Sequence, residues 1–127
     1  MRSARYSSMG SGSYRGLEVW VKSRALAVDI FRATRIAGFD WSLRDQMRRA
    51  AISIPSNIAE GSKRGSNRDC VRFLYISRGS AAELSTQIDI ANEVGMVDAR
   101  VAADLLDRCD HIEAMLMKLI MARSGER

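Results

Sequence analysis

Apolar residues recur along this chain at spacings of three and four, in four blocks separated by short turns. In the run LRDQMRRAAISIPSNIAEG, Leu43 to Gly61, the residues Leu43, Met47, Ala50, Ile54 and Ile58 fall within about 80° of one another when advanced at about 100° per residue, which predicts a helix burying one stripe. Gln46, Arg49, Ser53, Asn57 and Glu60 form a polar stripe beside it. A solvated stripe is usually filled with Lys and Glu. This one mixes Arg, Gln, Ser and Asn, types that fix hydrogen-bond geometry, so it is expected to be partly enclosed by protein.

The other blocks read the same way. A first helix is predicted from Leu17 to Ala37, with one stripe of Leu17, Val21, Ala25 and Val28 and another of Val19, Leu26, Ile30 and Ala33. Apolar coverage that broad suits either a central helix or one that meets a second subunit. After Gly38-Phe39-Asp40-Trp41, Ser42 is read as the N-cap of the second helix with Asp45 in its first turn. Pro55 inside that helix predicts either a kink near Ala51 to Ile54 or a local irregularity, and Gly61 is read as its C′ residue. Ser66 with Asp69 caps a third helix running to Val94, whose seam is Cys70, Phe73 or Leu74, Ser77, Ala81, Leu84, Ile88 and Ala91. A turn at Gly95-Met96-Val97 leads to Asp98 as the N-cap of a fourth helix. Its buried side is read as Val101, Ala102, Leu105, Cys109, Ile112, Leu116, Leu119 and Ala122. Three short connections between four helices predict an all-α, up-down-up-down antiparallel four-helix bundle over residues 17–122. Residues 1–16, rich in Ser, Gly and Arg, are read as a disordered N-terminal tail, whose Arg2, Arg5 and Arg15 with Tyr6 and Tyr14 could touch RNA, and residues 123–127 as a short C-terminal one.

Several spaced motifs carry a family resemblance. Gln46, Arg48-Arg49-Ala50-Ala51, Ser53-Ile54 and Asn57-Ile58-Ala59-Glu60-Gly61 are followed by Phe73-Leu74 and by Gly79-Ser80 with Glu83 three residues on; Leu17, Val19 and Trp20 agree upstream. Together they resemble the ribosomal RNA intervening-sequence proteins, a family of four-helix bundles, over about Leu17 to Ala122. The resemblance implies a small helical bundle that assembles as a ring of five, with no established enzymatic activity. The chain is more distantly similar to the accessory variability proteins of diversity-generating retroelements, which bind nucleic acid and reverse transcriptase.

Composition agrees with one helical domain: 127 residues, a single Pro and only 6% aromatic side chains. Charge is uneven. Residues 1–78 carry 15 basic and 6 acidic side chains, a net +9, whereas residues 79–127 carry 5 and 9, a net −4. Such asymmetry allows a basic surface for nucleic acid and equally a head-to-tail packing of unlike faces between subunits. The two cysteines, Cys70 and Cys109, sit in different predicted helices at levels ~20 Å apart, too far for a bridge. With neither a secretory signal nor a membrane-length apolar run, a cytoplasmic protein is expected, with no membrane partner.

Catalysis has little support. His111 is the only histidine, the cysteines lack metal-ligand spacing, the Glu-x-x-His repeats of di-iron bundles are absent, and no glycine-rich phosphate loop occurs. No enzyme, metal or cofactor is expected. Arg44, Arg48, Lys63, Arg64, Arg68 and Arg72 are the candidate nucleic-acid contacts, with Arg78 as a further member, several of them near the turn between helices two and three. Gln46, Arg49, Asn57, Glu60, Ser80 and Glu83 form a candidate structural polar network, within which antiparallel levels predict ion pairs Arg49–Glu83 and Glu60–Arg72. The functional expectation is a non-enzymatic, self-assembling bundle, a homopentamer binding RNA or DNA through basic surface. The alternative is a structural adaptor that binds a protein partner through helix one and the Met-rich fourth helix (Met115, Met117, Met121).

Overall fold

A computed structural model of the chain describes residues 13–125. Four helices follow one another: α1 (Glu18–Ala33), α2 (Trp41–Ser62), α3 (Asn67–Glu93) and α4 (Ala99–Ser124), after a single 3-10 turn at Tyr14–Gly16. α2 packs along α3 and α3 along α4, while the shorter α1 lies mainly on α2 and more lightly on α4. The architecture is the expected all-α four-helix bundle, with no strand among the described residues. Residues 1–12 and 126–127, which hold most of the two expected tails, lie outside the described residues. Among the described residues, regular structure precedes the predicted Leu17: Ser13 caps the 3-10 turn, and Leu17 is buried.

The buried stripes follow the predicted periodicity. Leu26 and Ile30 from α1, Met47, Ile54 and Ile58 from α2, Leu74, Leu84 and Ile88 from α3 and Leu116 from α4 are fully enclosed. Each contributes about 1.5–3 kcal/mol of transfer free energy. Of the two stripes on α1, the one through Val19, Leu26 and Ile30 faces the core; on the other, Val21 is 48% exposed. On α4 the buried line runs Ala102, Leu105, Cys109, Ile112, Leu116, Ile120, so Val101 and Ala122 stand outside it and Ile120 takes the place assigned to Leu119. A step of four advances about 40° on a 3.6-residue helix, which turns the stripe toward Ile120 and leaves Leu119 partly buried beside it. Both cysteines are buried free thiols, and burial pushes Cys109 up to about 11 and raises Cys70 as well.

Helix ends show where side chains overrule periodicity. Asp98 and Ser66 are the N-caps expected, accepting from the Val101 and Asp69 amides. α2, however, begins two residues earlier than read: Asp40 accepts from the Leu43 amide at 2.9 Å, so Ser42 lies inside the first turn. α1 ends at Ala33 rather than Ala37. There the Thr34 hydroxyl donates to the Ile30 carbonyl at 2.7 Å and accepts from Arg48 Nε at 2.9 Å, while Arg48 Nη2 donates to the Phe31 carbonyl at 3.2 Å. The terminal carbonyls of α1 are thus satisfied before the pattern runs out, and Gly38, at φ +89°, turns the chain into α2.

Gly61 is not the C′ residue. α2 continues to Ser62, Lys63 follows at φ −95°, and Gly61 keeps ordinary helical backbone. Its lack of a side chain serves a close approach: a Cβ there would lie 3.1 Å from the Cys70 carbonyl and 3.2 Å from Phe73 Cβ. Further along the same α2–α3 seam, Ser77 Oγ donates to the Ile54 carbonyl at 2.8 Å and the hydroxyls of Ser53 and Ser80 lie 2.7 Å apart. The helix runs unbroken through Pro55, whose ring lines the surface facing α1.

Gly61→Val is expected to lower stability by about 1–3 kcal/mol in urea unfolding, because the seam must open. Gly79→Ala, at a helical glycine with nothing within 4 Å, should raise it by about 0.5–1 kcal/mol. Equal effects would show that the approach at Gly61 does not matter. Arg48→Ala should cost about 2 kcal/mol or more, since it orphans half-buried acceptors at the α1 terminus, whereas the exposed Arg68→Ala should stay within about 0.5 kcal/mol of wild type.

Candidate nucleic-acid interface

The turn between α2 and α3, Lys63 to Ser66, lies beside the start of α1 at one end of the bundle. Four cations of the candidate set meet there. Arg64 pairs with Glu60 one turn back on α2, and its guanidinium stands 4.6 Å from the centroid of the Phe73 ring. Arg72 stands 4.7 Å from the same ring, so two guanidinium groups share one aromatic base. Lys63 Nζ is 5.8 Å from the Tyr14 ring, and Tyr14 packs edge-on against Trp20 with centroids 5.2 Å apart. Arg15 lies over both rings, at 5.5 and 5.3 Å. Arg68 is exposed in the first turn of α3.

Stacking on a ring fixes the plane of a guanidinium while leaving edge N–H groups to donate outward. Residues 63–72 contain four basic side chains and one acid, Asp69, which sits in the first turn of α3. The chemistry offered is a set of oriented cations beside aromatic faces, suited to phosphate oxygens and to stacking of unpaired bases. Arg15 and Tyr14 are read from the sequence only as tail residues that could touch RNA, and Trp20 and Phe73 are not among the candidate contacts. Phe73 stood within the family motif, but its pairing with Arg64 and Arg72 depends on the α2–α3 turn. The approach of Tyr14 to Lys63 spans nearly fifty residues and leaves no local signal.

Arg44 and Arg48 belong elsewhere. They lie near the opposite end of α2, where Arg48 holds the α1 terminus and stacks 4.5 Å from Phe31, and Arg44 Nη2 reaches the Phe39 carbonyl at 3.5 Å. From Arg44 to Lys63 along α2 is ~28 Å at 1.5 Å per residue. Arg78 is half-buried within α3, with Nε enclosed and unpartnered. The six-residue basic set therefore divides into four side chains at the α2–α3 turn and two that fasten the α1–α2 corner.

The polar network is assembled only in part. Gln46, Arg49, Ser53, Ser80, Glu83 and Gln87 surround a shallow groove of about 290 Å³ on the α2–α3 face. Asn57 Nδ2 donates to both the carbonyl and the hydroxyl of Ser53 at 2.8 and 2.9 Å. The two expected ion pairs do not form. Arg49 Nε bonds Asp45 at 2.9 Å instead of Glu83, and Glu60 takes Arg64 instead of Arg72. Both observed pairs join residues four apart in the chain, Arg49 with Asp45 on α2 and Arg64 of the following turn with Glu60, an exposed geometry that asks less of two long side chains than an enclosed bridge between helices. The Arg49 side chain is 78% exposed, so this face is solvated rather than sealed.

Among the described residues there is no cluster of three His, Cys, Asp or Glu side chains placed to hold a metal ion, and no helix long and apolar enough to cross a membrane. His111 is an exposed residue 3.9 Å from Asp107.

Comparison with known proteins gives a family and a fold. No curated protein matches the chain. The structure is similar to the crystal structure of a protein of unknown function from the S23 ribosomal protein family of Bacteroides thetaiotaomicron, with a TM-score of 0.76, 21% sequence identity, and coverage of 80% of this chain and 97% of that one. At that identity the likeness shows the shared bundle. The model of the 23S rRNA-intervening sequence protein family matches residues 15–118, from the Tyr14–Gly16 turn through most of α4. The chain belongs to the 23S rRNA-intervening sequence protein family.

Proposed function

We propose that this chain is a non-catalytic helical scaffold that assembles into a ring of five and holds RNA or DNA at the end of the bundle formed by the α2–α3 turn. The observation that carries the reading is the convergence of Lys63, Arg64, Arg68 and Arg72 with Tyr14, Trp20 and Phe73 at that end, opposed by few acids. The contacts are to phosphates and to base faces, and hence tolerant of sequence. Repeating the patch around a ring multiplies a modest local field into an avid one. The matching family is named for an intervening sequence of 23S rRNA, which is in keeping with a nucleic-acid partner. The non-catalytic part of the reading draws on the exposed His111 and on two buried thiols, raised by burial and so held protonated.

A second reading, a protein-binding adaptor, draws on the other end of the bundle, where Trp41 is 74%, Ile36 62% and Val94 58% exposed. The two readings predict different losses.

Replacing Arg64 and Arg68 together by Ala should leave helicity and solution mass unchanged. Affinity for labelled single-stranded RNA or DNA at moderate salt should fall by about tenfold or more, the scale of two lost phosphate contacts. Binding that survives at full strength would remove the α2–α3 turn from the interface and favour the adaptor.

A further inference from the structure

The long side of the bundle formed by α1 and α2 carries a groove of about 410 Å³. Its floor is Val28, Phe31, Ile52 and Pro55, with Ile52 47% exposed, and Arg24 and Arg35 stand on its rim. Neither arginine lies within ion-pair distance of a carboxylate among the described residues. An apolar floor of aliphatic and ring carbons is not covered by phosphates; it calls for apolar side chains, and its rim calls for acids.

The last turn of α3 has the complementary character. Ile90 and Val94, one turn apart, are 47% and 58% exposed. Asp89 and Glu93 flank them, also exposed, and neither pairs within the chain among the described residues. Residues 79–99 contain no Lys or Arg. Carboxylates at a helix C-terminus face the negative end of the helix dipole, so this placement disfavours the isolated subunit and favours a cation from outside it.

Two such grooves face to face would oppose their arginines, which argues against an isologous pair. α3 packs on α2 and α4, across the bundle from α1, so the ridge and the groove point in different directions and one copy can engage two neighbours. We propose that the last turn of α3, through Ile90 and Val94, seats in the α1–α2 groove of a second copy of this chain, with Asp89 and Glu93 paired to Arg24 and Arg35. The contact is heterologous, and repeating it around a rotation axis closes a ring. This proposal rests on the self-assembly reading and names its surfaces.

Light scattering on the full chain tests it by exchanging charge. Arg24→Glu with Arg35→Glu, and separately Asp89→Lys with Glu93→Lys, should each reduce the solution mass to that of the monomer at concentrations where wild type is assembled, with circular dichroism unchanged. The chain carrying all four substitutions should regain the wild-type mass. An equimolar mixture of the two reversed chains should associate, each ridge in the other chain's groove, into species heavier than the monomer; strict alternation cannot close a ring of five, so the wild-type mass is expected only of the fourfold variant. Wild-type mass retained by both reversed chains would overturn the docking while leaving self-assembly intact, and so would a folded fourfold variant that stays monomeric. A wild type that is itself monomeric would overturn the self-assembly reading along with it. Loss of nucleic-acid binding with unchanged mass in the Arg24→Glu, Arg35→Glu chain would assign the groove to nucleic acid and overturn the docking.

Discussion

The close approach of α2 to α3 at Gly61 is the constraint on which the rest of the molecule depends. With no Cβ on α2 at that point, the Cys70 carbonyl and Phe73 Cβ come within van der Waals range of its backbone. The turn that follows is short, and Ser66 can cap α3 at once. The same contact places the Phe73 ring beside the turn, where Arg64 and Arg72 stack on it. A packing requirement in the seam and the geometry of the basic end are therefore one feature. Farther along the seam, the Ser53–Ser80 and Ser77–Ile54 bonds hold register without buried charge.

The cations of this chain do two kinds of work. Arg48 acts as a structural fastener: its guanidinium donates to the Phe31 carbonyl and to the Thr34 hydroxyl and rests on the Phe31 ring. Arg108 is similar, bridging α4 to Asp29 on α1 at 2.9 Å. Lys63, Arg68 and Arg72 have no carboxylate partner within the chain among the described residues, and Arg64 has an exposed one. Net charge alone conceals this division. The excess that matters to a polyanion is the part that the fold leaves unpaired.

The helices and their inner stripes were legible in the sequence because burial imposes a 3.6-residue period that neighbouring elements do not alter. Ser66 and Asp98 were legible as caps because each bonds an amide three residues on. Asp40 was missed in favour of Ser42, since both are good N-caps and the choice between them follows from where α1 ends, which Thr34 and Arg48 decide from a distance. Gly61 was read as a turn residue, although its role is steric and involves residues on another helix. The Arg49–Glu83 and Glu60–Arg72 pairs followed from helix levels, but levels do not say which partner a flexible side chain takes: Arg49 took Asp45 on its own helix, and Glu60 took Arg64 in the turn just beyond α2. The basic turn was visible as a run of residues. Its aromatic support from Tyr14 and Trp20 was not, because it exists only once the start of α1 is folded beside the turn.

The most direct test of the central claim, that the end of the bundle at the α2–α3 turn is a phosphate-binding surface, is the salt dependence of wild-type binding to a labelled single strand. Each phosphate contact contributes a slope of about −0.7 in log K against log salt for single strands. Engagement of Lys63, Arg64, Arg68 and Arg72 on one subunit predicts a slope near −3, and steeper if several subunits of a ring hold the same strand. A slope near zero, or no binding at low salt by the folded protein, would contradict the account.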